Sequence, residues 1–292
     1  MATKTDIVLY TASTPNGIKA SIALEELGLQ YEVYTIQMMD NEQKEPWFLD
    51  INPNGRIPAL TDTLGGKKMR VFESGAILEY LVDRYDKDHR ISYPRDTAEH
   101  WEVASWLMWQ MGGLGPMQGQ SNHFKRYAPE KIEYGINRYG NETRRLYRTM
   151  EDHLAKSSHG FLVGDRVTIA DISCWGWIAS HSTFAVRCPI IVDTIFIYTV
   201  PRTMHDNPGG NPQRVICADI LAAWAGISLT EFPHVDKWLR TLLRRPGFEK
   251  GRHVPKPHTA FEHDDLTEEQ LDEKAAGART WVQNGMKTDA QA

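Results

Sequence analysis

Only three cysteines, Cys174, Cys188 and Cys217, occur in 292 residues. That is too few for a disulfide-stapled fold, and their spacing is not that of a zinc site. Long apolar runs are missing as well. The longest, Pro189 to Val200, is broken by Asp193 and is too short to cross a bilayer. The opening residues MATKTDIVLYTAS lack the apolar core of a secretory signal. A reducing, cytoplasmic setting without membrane contact is therefore expected. Excess positive charge is absent too: 33 Lys and Arg stand against 38 Asp and Glu, a net charge of −5. Such a surface offers no general attraction to nucleic acid. The histidines and acids of HTAFEHDD (258–265) form no compact ligand set, so no metal is expected.

What is present is enough apolar sequence, 41% of the chain, to bury a core in one or two domains. Asp6 to Tyr10 reads as a short buried strand with a turn signal, STPNG (13–17), after it. Ile18, Ile22, Ala23 and Leu27 then share one helical face, with Thr14 as the cap, Pro15 at the first helical position and Gly28 as the stop. YEVYTIQ alternates as a second strand, RIPAL is strand-like around Pro58, GGKKMRVF is read as a hairpin, and Ser74 caps the helix GAILEYLVDRY. This α/β unit occupies residues 1–87, and a charged linker containing Pro94 covers 88–97. Helical patterns dominate 98–255, including an apolar, tryptophan-rich helix opened by Thr168-Ile-Ala-Asp171. Residues 256–292 are a polar tail with one helix, capped by Thr267-Glu-Glu-Gln270.

STPNG, NPNGRIPAL and FESGAILEYL, in that order, together with the TIAD helix start, resemble the glutathione transferases. WQMGGLGPMQGQSNHF and RYGNETRRLY are similar to one subgroup, the bacterial nu-class enzymes and the fungal proteins related to the yeast nitrogen regulator. The resemblance runs through most of residues 6–255. It implies a thioredoxin-like N-terminal α/β domain followed by an all-α helical-bundle C-terminal domain, glutathione as co-substrate, and a homodimer. STPNG occupies the place where a thioredoxin-type protein carries its cysteines; here the thiol arrives with the tripeptide.

The chemical task is then to ionise that thiol near neutral pH. A free thiol has a pKa of about 8.5, and lowering it by roughly two units takes about 2.7 kcal/mol. A helix N-terminus contributes about 0.3–1 kcal/mol, up to ~2 when partly buried. A hydrogen bond to a charged group adds about 1.5–3 kcal/mol. One donor plus the helix end suffices. The resemblance assigns those roles to Thr14 and Asn16. It implies that Ile57, before a cis Pro58, pairs through its main chain with the cysteinyl part, and that Glu73 and Ser74 take the γ-glutamyl ammonium and carboxylate. Gln43 matches a contact to the glycyl end, although Glu45 stands where bacterial relatives tend to have arginine; Lys44 or Arg138 could compensate. The second substrate, an electrophile or a disulfide, is expected between the domains against GGLGPMQGQ (112–120), with Trp106, Met108 and Trp109 nearby. Cys174 is read as a buried, inert thiol, and Arg240 to Arg245 as a solvated helix end.

Two readings stay open beside a glutathione transferase or disulfide-bond reductase. One is a non-catalytic glutathione-binding regulatory module, disfavoured because the chain enters its first strand by Asp6. The other is a pathway enzyme that adds or removes glutathione in fungal secondary metabolism. Residues 182–222 break the family pattern with an apolar run followed by turn formers, PRTMHDNPGGNP. They read as a translated intron: His181 to Phe184 can encode an embedded GTACGT donor, and Ala218-Asp219 a branch site. A lineage-specific loop is the alternative. Transcript reads crossing the segment without a gap would remove the intron reading.

Overall fold

The computed structural model describes residues 3–179, 224–258 and 267–289. Residues 182–222, with Cys188 and Cys217, and most of HTAFEHDD lie outside the described residues. The first strand, β1 (Val8–Thr11), and β2 (Glu32–Thr35) run parallel, joined by α1 (Gly17–Leu27). After two single 3-10 turns and the short α2 (Pro46–Leu49), β3 (Ala59–Leu64) pairs antiparallel with β1, and β4 (Lys67–Phe72) antiparallel with β3. The sheet order is β2-β1-β3-β4, and α3 (Ser74–Tyr85) follows. This is the thioredoxin-like arrangement: a parallel βαβ crossover beside an antiparallel hairpin.

No helix or strand occurs between α3 and α4 (Ala98–Trp109). The second domain is helical: α4, a π-turn at Gln110–Leu114, α5 (Gly115–Asn122), another π-turn at His123–Tyr127, α6 (Glu133–Leu154), α7 (Ile169–Ala179), α8 (Pro233–Leu243) and α9 (Pro246–Gly251). The last described element is α10 (Glu268–Asp289). One apolar cluster runs through both domains, from Ile7 and Leu9 of the sheet region through Ile18 and Ile22 to Trp175, Trp238 and Phe248. Helix α1 is shared by the two domains. Its Ser21 hydroxyl donates to the Gly251 carbonyl at 2.7 Å, and its Glu26 pairs with Arg245 at 2.6 Å. Arg245 is therefore an interdomain tie, whereas Arg240, paired with Asp236 on its own helix, remains at a helix surface.

The TIAD start is a polar hub. The Asp171 carboxylate is fully buried and accepts from the Leu162 and Thr168 amides, the Thr168 hydroxyl and the Trp238 indole N–H, at 2.8 to 3.2 Å. Those four donors hold α7 against the loop before it and against α8. Burial pushes the Asp171 carboxyl above its ordinary range, with the hydrogen bonds opposing. Cys174, on the same helix, has no exposed surface, and burial pushes its thiol up to about 12.

Candidate functional site

Helix α1 begins at the carboxyl end of β1, and its tip is built by STPNG. The Thr14 carbonyl accepts from the Ile18 amide at 3.1 Å, and the Thr14 Oγ1 accepts from the Gly17 amide at 3.0 Å. Thr14 thus caps the first turn, as its position suggested. The Gly17 N–H is accordingly engaged and does not face a ligand freely. The Thr14 hydroxyl proton is not used in that contact and stays available as a donor.

Asn16 is oriented from the other domain. Trp177 of α7 donates its indole N–H to Asn16 Oδ1 at 2.9 Å. An indole nitrogen only donates, so the carboxamide oxygen must face Trp177 and the NH2 group is left for another partner. Trp177 itself lies over α5: a Cβ added at Gly115 would stand 3.2 Å from the indole, and one at Gly119 3.5 Å. Gly176, beside it, lets α7 approach the tip of α1, because a Cβ there would meet the Pro15 carbonyl oxygen at 2.6 Å. Gly115 and Gly119 therefore seat the tryptophan that orients Asn16. They do not line the cleft described next, which is the one expected for glutathione and not the one expected for the second substrate. Trp106 and Trp109 pack edge to face at 5.0 Å against the core, and Met108 is exposed.

Thr14, Pro15, Asn16, Ile57, Pro58, Glu73 and Ser74 line one cleft of about 350 Å³, which Trp177 and Trp281 close from the helical side. The Ile57–Pro58 peptide is cis, and Pro58 precedes β3 instead of lying within it. Gln43 lines an adjoining cleft of about 410 Å³ with Lys44, Arg56 and Trp281, so six of the seven expected residues converge and Gln43 stands next door. Gln43 is buried, and its Oε1 has no hydrogen-bond partner. Arg138 lines a separate depression on α6 with Tyr134 and Arg145. Arg56, which borders both clefts, was not singled out from the sequence.

Ser74 departs from its expected role. Glu73 is the residue that precedes α3, its carbonyl accepting from the Ile77 amide at 2.9 Å, and Ser74 is the first helical residue. Glu73 holds φ at 70°, a left-handed value that costs a non-glycine residue about 1–3 kcal/mol and is found where surrounding structure enforces it, often at functional sites. The Ser74 hydroxyl caps nothing, because the Lys19 ammonium holds it at 3.2 Å. Lys19 also donates to Gln110 Oε1 at 2.6 Å and touches Met111 Sδ at 3.7 Å. Burial lowers its pKa to about 7. A lysine on a core-facing turn of α1 carries no sequence signal of this role.

The tail helix is present as expected, α10, but its docking carried no sequence signal. Its Thr267 and Gln270 form the expected capping box, at 2.8 and 3.3 Å. Leu271 and Ala275 are buried, however, and the helix docks on the second π-turn. There the buried Arg126 guanidinium pairs with Glu268 at 2.7 Å and Asp272 at 2.9 Å. At its far end the Trp281 indole N–H donates to Asn41 Oδ1 at 3.0 Å, which draws the helix across both clefts.

Among the described residues, no helix is long and apolar enough to cross a membrane, and no group of three or more His, Cys, Asp or Glu is placed to hold a metal. A family model for the glutathione S-transferase N-terminal domain matches residues 6–83, and one for the C-terminal domain matches 133–180. The Escherichia coli disulfide-bond oxidoreductase YghU is 33% identical over 86% of this chain and 75% of its own. Among solved structures, a glutathione transferase homolog from Lodderomyces elongisporus, with two GSH per subunit, is 38% identical with a TM-score of 0.67, over 86% of this chain and 99% of that one. The transferase URE2P6 of Phanerochaete chrysosporium, in complex with oxidized glutathione, is 35% identical with a TM-score of 0.66, over 85% of this chain and 94% of that one. With the thioredoxin-like sheet, the helical second domain and the convergent cleft, these likenesses mean that the chain belongs to the glutathione S-transferase family.

Proposed function

We propose that the protein is a glutathione-dependent enzyme whose favoured reaction is reduction of small disulfides. The observation that carries the reading is the donor pair at the tip of α1: the Thr14 hydroxyl and the Asn16 carboxamide, the latter turned donor-outward by Trp177. A thiolate seated there accepts from both and lies at the positive end of α1. Together these supply the roughly 2.7 kcal/mol that a two-unit fall in thiol pKa requires.

The surrounding chemistry fits a tripeptide with a carboxylate at each end. Ser74 and the unpaired first-turn amides of α3 suit the γ-glutamyl carboxylate, and the Glu73 carboxylate suits its ammonium. Ile57 lines the cleft beside Pro58, where its main chain suits the cysteinyl part. Toward the second cleft, the unpartnered Gln43 Oε1 is an acceptor for a peptide N–H, and Lys44 and Arg56 offer charge to the glycyl carboxylate.

In disulfide reduction, the bound thiolate attacks one sulfur of the substrate, and the S–S electron pair leaves with the other as a thiolate. A second glutathione thiolate resolves the mixed disulfide. Two glutathiones thus become one oxidised molecule, and two thiols are released. The name of YghU, and glutathione pairs or oxidized glutathione in the neighbouring structures, support this branch over attack on a carbon electrophile, which needs the same thiolate. A cytoplasmic homodimer belongs to the same proposal, on the resemblance. Purified protein should be assayed with glutathione against bis(2-hydroxyethyl) disulfide and against a chloronitrobenzene. The disulfide is expected to react faster, and Asn16→Ala to slow both reactions by roughly 10- to 100-fold, the worth of a hydrogen bond to a charged group. Full rates in the variant would show Asn16 to be a turn residue.

A further inference from the structure

The Lys19 side chain is completely buried, yet among the described residues no carboxylate comes within ion-pair distance of it. A buried charge without a countercharge is costly, and proteins rarely keep one without a use for it. Its three donors reach the Ser74 hydroxyl, the Gln110 carboxamide and the Met111 thioether, all neutral acceptors. In its charged form Lys19 cannot accept a hydrogen bond, so the Ser74 oxygen then accepts from it and the Ser74 proton must point elsewhere. In this structure it points at Met111 Sδ, 3.5 Å away, a weak acceptor that a carboxylate would displace.

We propose that Lys19 is a positioning residue that turns the Ser74 hydroxyl outward as a donor and supplies, from beneath, the positive charge that an incoming α-carboxylate neutralises. The inference rests on the γ-glutamyl assignment made above and adds the group that gives the subsite its charge. Gln110 belongs to the helical domain, so the second domain holds the cation in place for a subsite built on the first.

The charged groups around Lys19 are few. Glu73, before α3, draws it toward the charged form, while Cys174 of α7 keeps its thiol protonated and carries no charge near neutral pH. Around α9, Arg245 and Lys250 are engaged with Glu26 and Glu25, two turns further along α1. Desolvation outweighs these and leaves the amine near half-protonation at neutral pH. A bound carboxylate shifts the balance back, so binding should take up a proton just above neutrality.

The test uses the full chain and γ-glutamyl-alanyl-glycine, a tripeptide with no thiol to release a proton of its own. Calorimetry near pH 7.5, in buffers of different ionisation enthalpy, reads the proton count. Wild type should take up roughly half a proton or more per chain. Lys19→Met should bind at least tenfold more weakly with that uptake gone. Ser74→Ala should lose affinity to a similar extent, and the double variant little more, because the two act through one another. Wild type that binds with no proton uptake overturns the inference even if Lys19→Met does not fold, and leaves the glutathione reading standing. Unchanged affinity and uptake in a folded Lys19→Met overturns it too. Wild type that binds neither this peptide nor glutathione removes both.

Discussion

Asn16 can serve a thiolate only while its carboxamide faces the right way, and one contact decides that. If the Trp177 indole N–H fixes the orientation, Trp177→Phe keeps an apolar ring over Gly115 and Gly119 but removes the constraint. The expected outcome is a several-fold fall in kcat, with a smaller change in the KM for glutathione. Comparing it with Asn16→Ala would show whether both lie on one path, since their effects should then combine less than additively. Lys19 gives a second residue-scale expectation, for stability. Its pKa is about 7 in the folded chain against the ordinary lysine value of about 10.5, so between those values the unfolded state binds more protons. Stability should therefore rise with pH from about 7 toward 10 and be lost as pH falls through 7. Melting temperatures across that range should show wild type gaining on Lys19→Met; parallel curves would contradict the shifted pKa. STPNG could be read from sequence because it makes its turn locally, with the Thr14 carbonyl and hydroxyl accepting within the first turn. Lys19 and Trp177 could not, since their partners lie 55 to 161 positions away.

At the scale of elements, the geometry of the tip of α1 depends on how closely α7 approaches it. Gly176→Ala places a methyl group 2.6 Å from the Pro15 carbonyl oxygen, with Ile18 at 3.0 Å on the same side. Backbone cannot give as a long side chain can, so the helices must part. Overpacking of this kind costs about 1–3 kcal/mol. A melting temperature lower by several degrees is expected, with a fall in kcat because Trp177 moves with its helix. An unchanged melting temperature and rate would mean that the contact is not tight in solution. The order of strands and helices was legible from periodicity and turn chemistry, down to the stop at Gly28, which adopts a left-handed φ of 66°. The start of α3 was displaced by one residue. A serine before an apolar run reads as a cap, whereas here a buried ammonium claims its hydroxyl.

For the molecule as a whole, the segment 182–222 can be judged from its flanks. Gln118 Nε2 donates to the Trp177 carbonyl at 2.6 Å, and the Ser121 hydroxyl to the Ala225 carbonyl at 3.4 Å. The described residues on either side are thus anchored one turn apart on α5, a gap that a few residues can span. A chain lacking 182–222 is expected to fold, bind glutathione and be more soluble, because the apolar run Ile190 to Val200 is an aggregation hazard. Equal solubility and equal melting temperature would refute that cost, and failure of the shortened chain to fold would show the segment to be integral.

By itself, the amino-acid sequence determined the two-part architecture, the tip of the first helix and the family likeness. Each of these is encoded in short-range pattern: strand alternation, helical period, caps and turn formers. Only the tertiary structure decided which way Asn16 faces, what lies beneath Ser74, and that the polar tail returns across the clefts through Trp281. Hydrogen-bond direction and the burial of a charge are set by groups that meet only when the chain closes on itself, and local spacing carries no record of them.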